Sequence, residues 1–570
     1  MADVRIPPGT YGTCHHSQMD RRLTDLRINL LKKDMINMQT NSIGLNRPAT
    51  DFRDLLLSCK ERVPEKIAFR YRIDRKNFRD VSYSSFAQEV EDLGNYLLSQ
   101  GFYGKHIAIS GTNSYEWLLA FFAITTSGNV AVAIDPELGA NELRKHLLQS
   151  DSEAIFCSQN KHNQLASVCD DDDFDVIHFP IESAPNNTFS SNDREGQRSY
   201  ADVIIDPDSP AVIFFTSGTS GDSKAAVVSH AGIAAVAHSY MEIFALPAIN
   251  LAILPFHHTF GLVAGVIIIL FSTNTVFINT QIKYLLNDIK DSSASLICVV
   301  PAYLELFQKK IEHSLMLSKS VRKFQIGRRI CKIFLAFGID LRCIIFKKIH
   351  SEFGNHYQTF ITGGAPIGDA TVRFFRDIGF NVFNGYGLTE TSPVVAVEYF
   401  NATRANSCGK PLSCCTVRIA EDGEIFVKGD NVFLGYYKDK AQTRAVLNNG
   451  EFATGDIGHL DEDGFLFITG RKKNLIVLSN GENVSPEGIE IQLLQEEGVE
   501  EVVVVEHENR LVALIFPSDG YRGNEEYFRD LCDRYNRQVP PTRRIAEIRL
   551  RETEFEKNSS RKILRHRIEL

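Results

Sequence analysis

The residue types best suited to chemistry form a run of hydroxyls and glycines that ends in a lysine. An apolar segment, residues 211–215, leads into Thr-Ser-Gly-Thr-Ser-Gly-Asp-Ser-Lys at 216–224. Glycine lets a backbone curl and present its N–H groups, hydroxyls add donors, and lysine adds a point charge. This combination favours a polyphosphate-binding loop, with an ordinary Ser/Gly turn as the alternative if the segment stood alone. The glycine spacing, and Ala225 after the lysine, exclude a Walker loop. The candidate ligands are Thr216, Ser217, Gly218, Thr219, Ser220, Gly221 and Lys224.

Four later segments combine glycines with aromatic, hydroxyl and charged side chains. Residues 362–366 (Thr-Gly-Gly-Ala-Pro) follow an apolar run and could let a flat base lie against the backbone. Residues 384–393 (Asn-Gly-Tyr-Gly-Leu-Thr-Glu-Thr-Ser-Pro) bring a ring, a hydroxyl and a carboxylate close to two glycines. Residues 454–456 (Thr-Gly-Asp) and 470–474 (Gly-Arg-Lys-Lys-Asn) add an acid and several cations. The purely structural alternatives are a packed core tyrosine and a turn aspartate.

Alternating strands and helices must position these segments. Short apolar runs at 107–109 and 130–132 alternate with helical stretches at 115–126 and 138–150. Such alternation is typical of parallel α/β layers. The first 48 residues are polar and patternless, and we expect them to form a flexible arm.

The pattern changes in the last third of the chain. From 408 to 432 the apolar residues alternate, which predicts antiparallel strands of a small barrel or sheet. Further on, strands at 501–506 and 511–516 and a helix from about residue 524 follow. This last stretch of about 100 residues has the size of a separate α/β domain.

The composition is that of a multidomain enzyme. The 570 residues are 44% hydrophobic and 23% charged, and the net charge of −9 argues against a dedicated nucleic-acid binder. Eleven cysteines, an odd number with no Cys-x-x-Cys pair, predict reduced thiols in a cytoplasmic protein. No signal pattern opens the chain. The most apolar run, 260–271, suits a buried helix rather than a membrane span of ~20 residues.

The five segments, in this order, resemble the adenylate-forming (AMP-binding) superfamily, and look closest to long-chain fatty acyl-CoA synthetases. The match runs from about residue 50 to the C-terminus. The resemblance implies an α/β fold: a large N-terminal domain of layered α/β subdomains plus a small β-barrel, then a smaller mobile α+β C-terminal domain. After the arm at 1–48, it implies an adenylation domain at 49–470, a hinge at 471–473 and a mobile domain at 474–570.

The resemblance also implies a nucleotide site in which the 216–224 loop holds the β- and γ-phosphates of ATP. Tyr386 would stack on adenine, Asp456 would accept both ribose hydroxyls, and Arg471 would support the ribose and phosphate side. Thr389 would bond the α-phosphate, and Glu390 would hold Mg²⁺, a hard cation suited to carboxylate oxygens. Beyond the phosphate loop, the implied ATP/AMP-binding residues are Gly363, Gly364, Ala365, Asn384, Gly385, Tyr386, Thr389, Asp456 and Arg471.

Three residues in the hinge and the C-terminal domain carry further implied roles. Lys562 matches the mobile catalytic lysine of the C-terminal domain, with a solvated terminal charge as the alternative. Arg561 stands where the family has a glycine, and Ala225 also departs from the pattern, which leaves the rate of adenylation in question. Lys473 matches the pivot of the domain rotation, and Gly481 matches the glycine lining the pantetheine tunnel.

The stretch at 254–261 (Leu-Pro-Phe-His-His-Thr-Phe-Gly) bears on the carboxylate substrate. Amino-acid-activating relatives hold the substrate ammonium with an acid in this region, and this stretch has none. Its double histidine resembles fatty acyl-CoA synthetases and luciferases, so His258 is expected between the acyl pocket and the adenylate, or as a buried structural histidine.

Residues 307–349 form a strongly basic segment. They contain eleven Lys and Arg against Glu312 and Asp340, a net of +9, interleaved with apolar residues at helical spacing. Basic amphipathic helices often lie on anionic membranes, so we expect peripheral membrane contact here, with a plain solvated face as the alternative.

These features predict ATP-dependent activation of a medium- or long-chain fatty acid to acyl-AMP with release of pyrophosphate, then transfer to the thiol of CoA. The enzyme would be an acid–thiol ligase of lipid metabolism that uses ATP, Mg²⁺ and CoA. A free-standing acyl-AMP ligase that loads the phosphopantetheine of an acyl carrier protein is the close alternative. A luciferase-like monooxygenase and a degenerate nucleotide- or acyl-binding relative are the more distant ones.

Overall fold

The structure is a computed structural model, and it describes residues 48–168, 176–181, 198–216, 223–244, 246, 248–355, 359–478, 483–557 and 563–568. The predicted arm at 1–48 lies outside the described residues except for its last one. Nine cysteines lie in the described part, and all nine are free thiols.

The described strands and helices follow each other in the order below. The first strands are β1 (Ile67–Arg72), β2 (Phe78–Ser82), β3 (His106–Ser110), β4 (Val130–Ile134), β5 (Ser152–Cys157), β6 (Ile177–Pro180), β7 (Pro210–Thr216), β8 (Lys224–Ser229), β9 (Ile249–Ala252), β10 (Thr275–Ile278), β11 (Leu296–Val299), β12 (Thr359–Thr362) and β13 (Asn381–Tyr386). The later strands are β14 (Ala396–Val397), β15 (Lys410–Pro411), β16 (Cys415–Ile419), β17 (Glu424–Gly429), β18 (Gly435–Tyr436), β19 (Leu447–Asn448), β20 (Glu451–Leu460), β21 (Leu466–Arg471), β22 (Ile476–Val477), β23 (Asn483–Val484), β24 (Val499–His507), β25 (Arg510–Pro517) and β26 (Ile545–Leu550). The helices are α1 (Phe52–Arg62), α2 (Tyr83–Ser99), α3 (Tyr115–Thr126), α4 (Ala140–Gln149), α5 (Gln159–Ala166), α6 (His230–Ile243), α7 (Ile268–Phe271), α8 (Leu285–Asp291), α9 (Pro301–Leu317), α10 (Val321–Ala336), α11 (Arg342–Ile345), α12 (Lys347–Glu352), α13 (Asp369–Asp377), α14 (Lys440–Val446), α15 (Pro486–Leu493) and α16 (Glu525–Gln538).

Two large sheets form the body of the fold. One has seven strands in the order β18-β8-β7-β4-β3-β5-β6, and the other has nine in the order β15-β14-β13-β12-β11-β9-β10-β1-β2. The central pairs of both are parallel, as the alternation of strands and helices predicted. One continuous apolar core runs through both sheets and the helices against them.

Helix α3 illustrates how the sequence dictates the layers. Its apolar residues are not confined to one stripe, and every residue after Glu116 is buried, which is the pattern of a helix enclosed on all sides. The hydroxyl of Ser114 accepts a hydrogen bond from the Trp117 N–H and so caps the first turn. The predicted helix at 115–126 therefore matches the observed one at both ends.

The apolar run at 260–271 is a buried helix, as predicted. Its first part, Phe260–Ile267, has π-helical hydrogen bonding and continues directly into α7. Within the described residues, no helix combines the length and apolar character needed to cross a bilayer.

The last third of the chain forms smaller antiparallel sheets. Five strands, β16, β17, β19, β20 and β21, make the sheet predicted from the alternation at 408–432. The C-terminal strands β24, β25 and β26 form a separate three-stranded sheet that packs with α15 and α16 around its own apolar core. The predicted strands at 501–506 and 511–516 lie inside β24 and β25, and Asn524 caps α16.

Candidate active site

The first and last residues of the predicted phosphate loop lie on two paired strands, β7 and β8. Thr216 is the last residue of β7, Lys224 is the first of β8, and the two are paired across the antiparallel ladder. Ser217, Gly218, Thr219, Ser220 and Gly221 lie outside the described residues. The ammonium group of Lys224 lies 4.9 Å from the centroid of the Tyr436 ring, within cation–π range.

Tyr436 links this pair of strands to Glu390. Its hydroxyl donates a 2.8 Å hydrogen bond to Glu390 Oε1, and both side chains are buried. Burial and the neighbouring carboxylate raise the pKa of Tyr436, so the phenol keeps its proton and acts as the donor. Tyr436 was not predicted, because a tyrosine in Leu-Gly-Tyr-Tyr carries no chemical signal of its own.

Thr389 connects the same site to the predicted substrate stretch. The hydroxyl of Thr259 donates a 2.9 Å hydrogen bond to the hydroxyl of Thr389. Since Thr389 accepts this bond, its own O–H proton can be donated to another acceptor, as the predicted contact with the α-phosphate requires. Thr259 was likewise not predicted, although it follows the double histidine directly.

The backbone of the substrate stretch is held by close contacts. The side-chain amide of Asn113 donates a hydrogen bond to Leu254 O at 2.8 Å and accepts one from the Phe256 N–H at 3.0 Å. An added Cβ on Gly261 would lie 2.2 Å from Pro255 O, so only glycine permits this close approach of the helix to Pro255.

The two histidines of this stretch lie side by side. The rings of His257 and His258 have centroids 4.2 Å apart, and His257 Nε2 lies 3.7 Å from an oxygen of Asp135. Burial lowers the pKa of His257, which leaves the imidazole neutral near pH 7 despite Asp135. His258 thus stands beside a neutral ring, at the start of the turn that leads to Thr259.

The glycines of the predicted adenine slot meet across two neighbouring strands. An added Cβ on Gly363 would lie 3.1 Å from the carbonyl oxygen of Gly385 and 3.7 Å from the ring of Phe260. Gly364 has a φ of +79°, a conformation that favours glycine. Ala365 follows it in the bend after β12. Backbone at this edge can therefore approach a flat ring closely.

Tyr386, Asp456 and Arg471 form a chain of contacts beside this slot. The Tyr386 hydroxyl donates to Asp456 Oδ2 at 2.7 Å, and Arg471 Nε lies 2.9 Å from Asp456 Oδ1. Asp456 is only 3% exposed. Burial and the Asp456 charge raise the pKa of Tyr386 well above its usual range, so this phenol is also a permanent donor.

Asn384 is placed near the slot but is engaged in holding the backbone. Its side-chain amide donates to Ser407 O at 2.9 Å, and its backbone N–H donates to Glu398 Oε2 at 3.1 Å. These bonds fasten the end of β13 to the loop that precedes β15.

The predicted hinge, residues 471–473, begins at the last residue of β21 and continues along the protein surface. Lys472 bonds Asp422 at 2.7 Å and Glu424 at 2.6 Å, which ties it to the five-stranded sheet. Asn474, two residues later, bonds Glu487 on α15 instead. Lys473 lies between these two attachments, and partial burial together with the Arg471 charge lowers its pKa.

Lys562 and Gly481 lie outside the described residues. The chain on either side of Lys562 is anchored by ion pairs: Lys557 contacts Glu501, and Arg565 contacts Glu490. The segment that carries Lys562 therefore starts and ends at fixed points on the C-terminal sheet and α15.

The donor set at Glu390 suits Mg²⁺. This ion is usually held by one or two carboxylates together with substrate phosphates and water, rather than by a cage of protein ligands. No group of three or more His, Cys, Asp or Glu that could hold a metal occurs in the described part of the chain. Glu390, oriented by Tyr436 and linked through it to Lys224, fits the shared mode of binding.

Sequence comparison decides the family. The pattern described as "AMP-binding enzyme" matches residues 58–437, and that described as "AMP-binding enzyme C-terminal domain" matches 473–569. The chain belongs to the AMP-binding enzyme family. The predicted membership of the adenylate-forming superfamily is confirmed, and the enzyme is an AMP-forming acid–thiol ligase.

Characterised relatives of this AMP-binding enzyme are similar over most of the chain. It is 28% identical over 469 residues to "Long-chain-fatty-acid--CoA ligase FadD15" of Mycobacterium bovis, covering 78% of each chain. It is 29% identical over 467 residues to "Long-chain-fatty-acid--CoA ligase 5" of Rattus norvegicus, covering 74% of this chain and 68% of the relative. It is also 27% identical over 529 residues to the chloroplastic "Long-chain-fatty-acid--[acyl-carrier-protein] ligase AEE15" of Arabidopsis thaliana, covering 77% and 72%.

Solved structures confirm the predicted α/β fold. The o-succinylbenzoate CoA synthetase of Bacillus subtilis, solved with its acyl-adenylate, matches with a TM-score of 0.70 at 22% identity, covering 91% of this chain and 98% of that one. The anthranilate CoA ligase AuaEII matches with a TM-score of 0.74 at 17% identity, covering 91% and 96%.

Proposed function

We propose that this enzyme activates a medium- or long-chain fatty acid with ATP to form acyl-AMP and pyrophosphate, and then transfers the acyl group to the thiol of CoA. The observation that carries the proposal is a network of side-chain contacts that links four of the five predicted segments with one another and with the stretch 254–261. It runs from Lys224 through Tyr436 to Glu390, whose neighbour Thr389 bonds Thr259. Tyr386, three residues before Thr389, continues it to Asp456 and Arg471.

These contacts are compatible with the proposed chemistry. Tyr386 and Arg471 orient the Asp456 carboxylate, which is proposed to accept from the ribose hydroxyls. Thr389 accepts from Thr259 and can donate its own proton to the α-phosphate. Tyr386 presents a ring beside the Gly363–Gly385 contact, which suits stacking on a purine.

The proposed first step is attack of the acid's carboxylate oxygen on the α-phosphorus of ATP. A P–O bond forms, the bond to the β-phosphate oxygen breaks, and pyrophosphate leaves with that electron pair. Charge develops on phosphate oxygens, so positioned donors contribute most of the rate. Mg²⁺, when bound at Glu390, supplies charge neutralisation of the phosphates. Lys224 and Thr389 are the described donors on this side, and Lys562 is proposed as the mobile cation that completes them.

The fatty character of the acid rests on the substrate stretch and on similarity. Residues 254–261 contain no carboxylate that could hold a substrate ammonium, and they lead into the apolar helix Phe260–Ile267. Relatives named as long-chain fatty acid ligases cover most of the chain. The similarity to AEE15 supports a carrier-protein acceptor as the second candidate.

A pyrophosphate-release screen tests the proposal. Purified enzyme with ATP and Mg²⁺ is offered fatty acids of increasing length, aryl acids and amino acids, and the best acid is then offered with free CoA or with a panel of acyl carrier proteins. Glu390→Gln should abolish most release, while Glu142→Gln, an exposed change of the same type on α4, should leave it intact.

The outcomes separate the candidates. Release with fatty acids and thioester formation on CoA supports the proposal, and thioester formation only on a carrier protein favours the second candidate. Preference for amino or aryl acids overturns the substrate assignment. No release with any acid would indicate the degenerate, non-catalytic alternative.

A further inference from the structure

Exposed apolar side chains concentrate in one part of the surface. Of the 24 large apolar side chains exposed in the described residues, 12 lie between Leu306 and Ile345. Scattered exposed apolar residues are ordinary, but a contiguous cluster marks an interaction surface. This cluster occupies α9, α10, α11 and the turns between them.

Helix α10 has two apolar faces. One is buried: Phe324, Gly327 and Cys331 pack toward the body, with the ring of Phe324 5.3 Å from that of Phe346. The second face is exposed, and its members at i, i+4, i+7 and i+11 lie along one side of the helix. They are Ile326, Ile330, Ile333 and Phe337, exposed by 56%, 37%, 59% and 67%.

The cations of this segment fall into two groups. Four of the eleven are in ion pairs: Lys309 with Glu500, Arg328 and Lys332 with Asp377, and Arg342 with Asp340. The other seven form no ion pair with any residue that the structure describes. These seven are Lys310, Lys319, Arg322, Lys323, Arg329, Lys347 and Lys348.

We propose that the exposed stripe Ile326–Ile330–Ile333–Phe337, with Arg322, Lys323 and Arg329 beside it, docks on an anionic lipid bilayer. We name these seven residues the docking face. Apolar side chains flanked by unpaired cations match the two layers of such a surface, acyl chains beneath negative headgroups. A second copy of the chain is a poor occupant, because it would bring two segments of net +9 together.

Helix α9 runs from the region of the nucleotide site to the turn that precedes α10, the helix that carries the docking face. This helix begins at Pro301, next to Val300, whose side chain lies within 3.9 Å of a Cβ built on Gly364. Its 17 residues span about 25 Å. If the proposed fatty acid substrate is correct, docking would place the enzyme where such acids partition.

The first test reverses charge without disturbing packing. The full-length protein is mixed with phosphatidylcholine vesicles with or without phosphatidylglycerol, in the absence of ATP, and sedimented. Each cation near an anionic surface changes binding about 5-fold, so Arg322→Glu, Lys323→Glu and Arg329→Glu together should weaken it at least ~100-fold. Arg328 and Lys332 are left unchanged because their pairing with Asp377 holds α10 to α13. The matched control reverses three exposed cations elsewhere, Lys76, Lys440 and Arg444.

The second test removes the apolar contribution at constant charge. Ile326→Ser, Ile330→Ser and Ile333→Ser together should weaken vesicle binding by at least about tenfold. The reason is that the favourable free energy of transferring each isoleucine side chain from water into the bilayer is lost. The control is the same triple change at Ile73, Ile204 and Ile282, which are exposed by 63%, 87% and 63%. Circular dichroism and thermal unfolding monitor the folding of every variant.

The proposal is supported if binding requires phosphatidylglycerol and both docking-face variants lose it while both controls keep it. It is overturned by equal binding to the two kinds of vesicle, by no binding, or by equal losses in variants and controls. A dimer that the Ile→Ser variant converts to monomer, without vesicle binding, would also overturn it and assign the face to a second copy. Because binding is measured without substrate, failure of the proposed fatty acid activity would leave this result unaffected.

Discussion

The phenolic hydroxyl of Tyr386 donates a 2.7 Å hydrogen bond to Asp456, 70 residues further along the chain. The bond joins the end of β13 to β20 and so fixes the distance between the proposed adenine and ribose contacts. Asp456 is nearly inaccessible, and Arg471 balances its charge from the opposite side. The carboxylate is therefore oriented before any nucleotide arrives, which lowers the entropic cost of binding one.

Asp456→Ala should raise the KM for ATP by tenfold or more, because two ribose hydroxyls and the Arg471 guanidinium would lose their acceptor. ATP and GTP should be affected alike, since the base is contacted elsewhere. Tyr386→Phe keeps the ring and removes only the hydroxyl, so its effect on KM should be smaller. Steady-state kinetics of pyrophosphate release measures both, and an unchanged nucleotide affinity in Asp456→Ala would contradict the ribose role.

Tyr436→Phe should raise the Mg²⁺ concentration needed for half-maximal adenylation about tenfold, the scale of losing a hydrogen bond to a charged group. The physical reason is that Glu390 would lose the donor that fixes its Oε1. At saturating Mg²⁺ the rate should largely recover, whereas Glu390→Ala should not recover. The neighbouring Tyr437→Phe, which removes a bond to Asp151 on the surface, is the matched control. Equal Mg²⁺ dependence in the wild type and Tyr436→Phe would argue against this positioning role.

Elements that depend on local patterns were predictable from the sequence. Strands such as β3 and β4 and the helix α3 follow from short apolar runs and a capping serine, which act within a few residues. The contact partners of the site were not predictable in this way. Tyr436 lies 46 residues from Glu390 and Thr259 lies 130 from Thr389, so only the packing of sheets brings them together.

In the basic segment, too, local features were predictable from the sequence and long-range contacts were not. Its charge and helical spacing were evident from the sequence, but the partners Asp377 and Glu500 lie outside it and were not. Their pairing removes three cations from the number available to a ligand. Likewise, the π-helical turn at Phe260–Ile267 has no signature in a uniformly apolar run, which fits either kind of helix.

Lys562→Ala should suppress acyl-adenylate formation by about two orders of magnitude or more, as expected for losing one positioned charge at the reacting phosphate. Thioester formation from supplied acyl-adenylate should be largely spared, because the family resemblance places this lysine at the site only for the first step. The two half-reactions are measured separately, by pyrophosphate exchange and by thioester release. Lys557→Ala is a useful comparison, since it removes a nearby cation that pairs with Glu501. Equal loss in both half-reactions, or loss in neither, would contradict the assignment of Lys562.

The unfolding free energy should fall as the pH drops from 7 to 5, and two buried histidines supply part of the slope. Burial lowers the pKa of His146 and of His230 from 6.5 to about 4, and neither Nδ1 has a hydrogen-bond partner among the described residues. Between pH 6.5 and 4 the unfolded chain binds protons that the folded one does not, so stability rises with pH in this window. Each histidine should contribute about 1–2 kcal/mol between pH 5 and pH 7. Denaturant unfolding of the wild type, His146→Gln and His230→Gln at both pH values measures this, with the pH difference rather than the absolute stability as the readout. A pH difference unchanged by either substitution would show that other groups control the acid sensitivity.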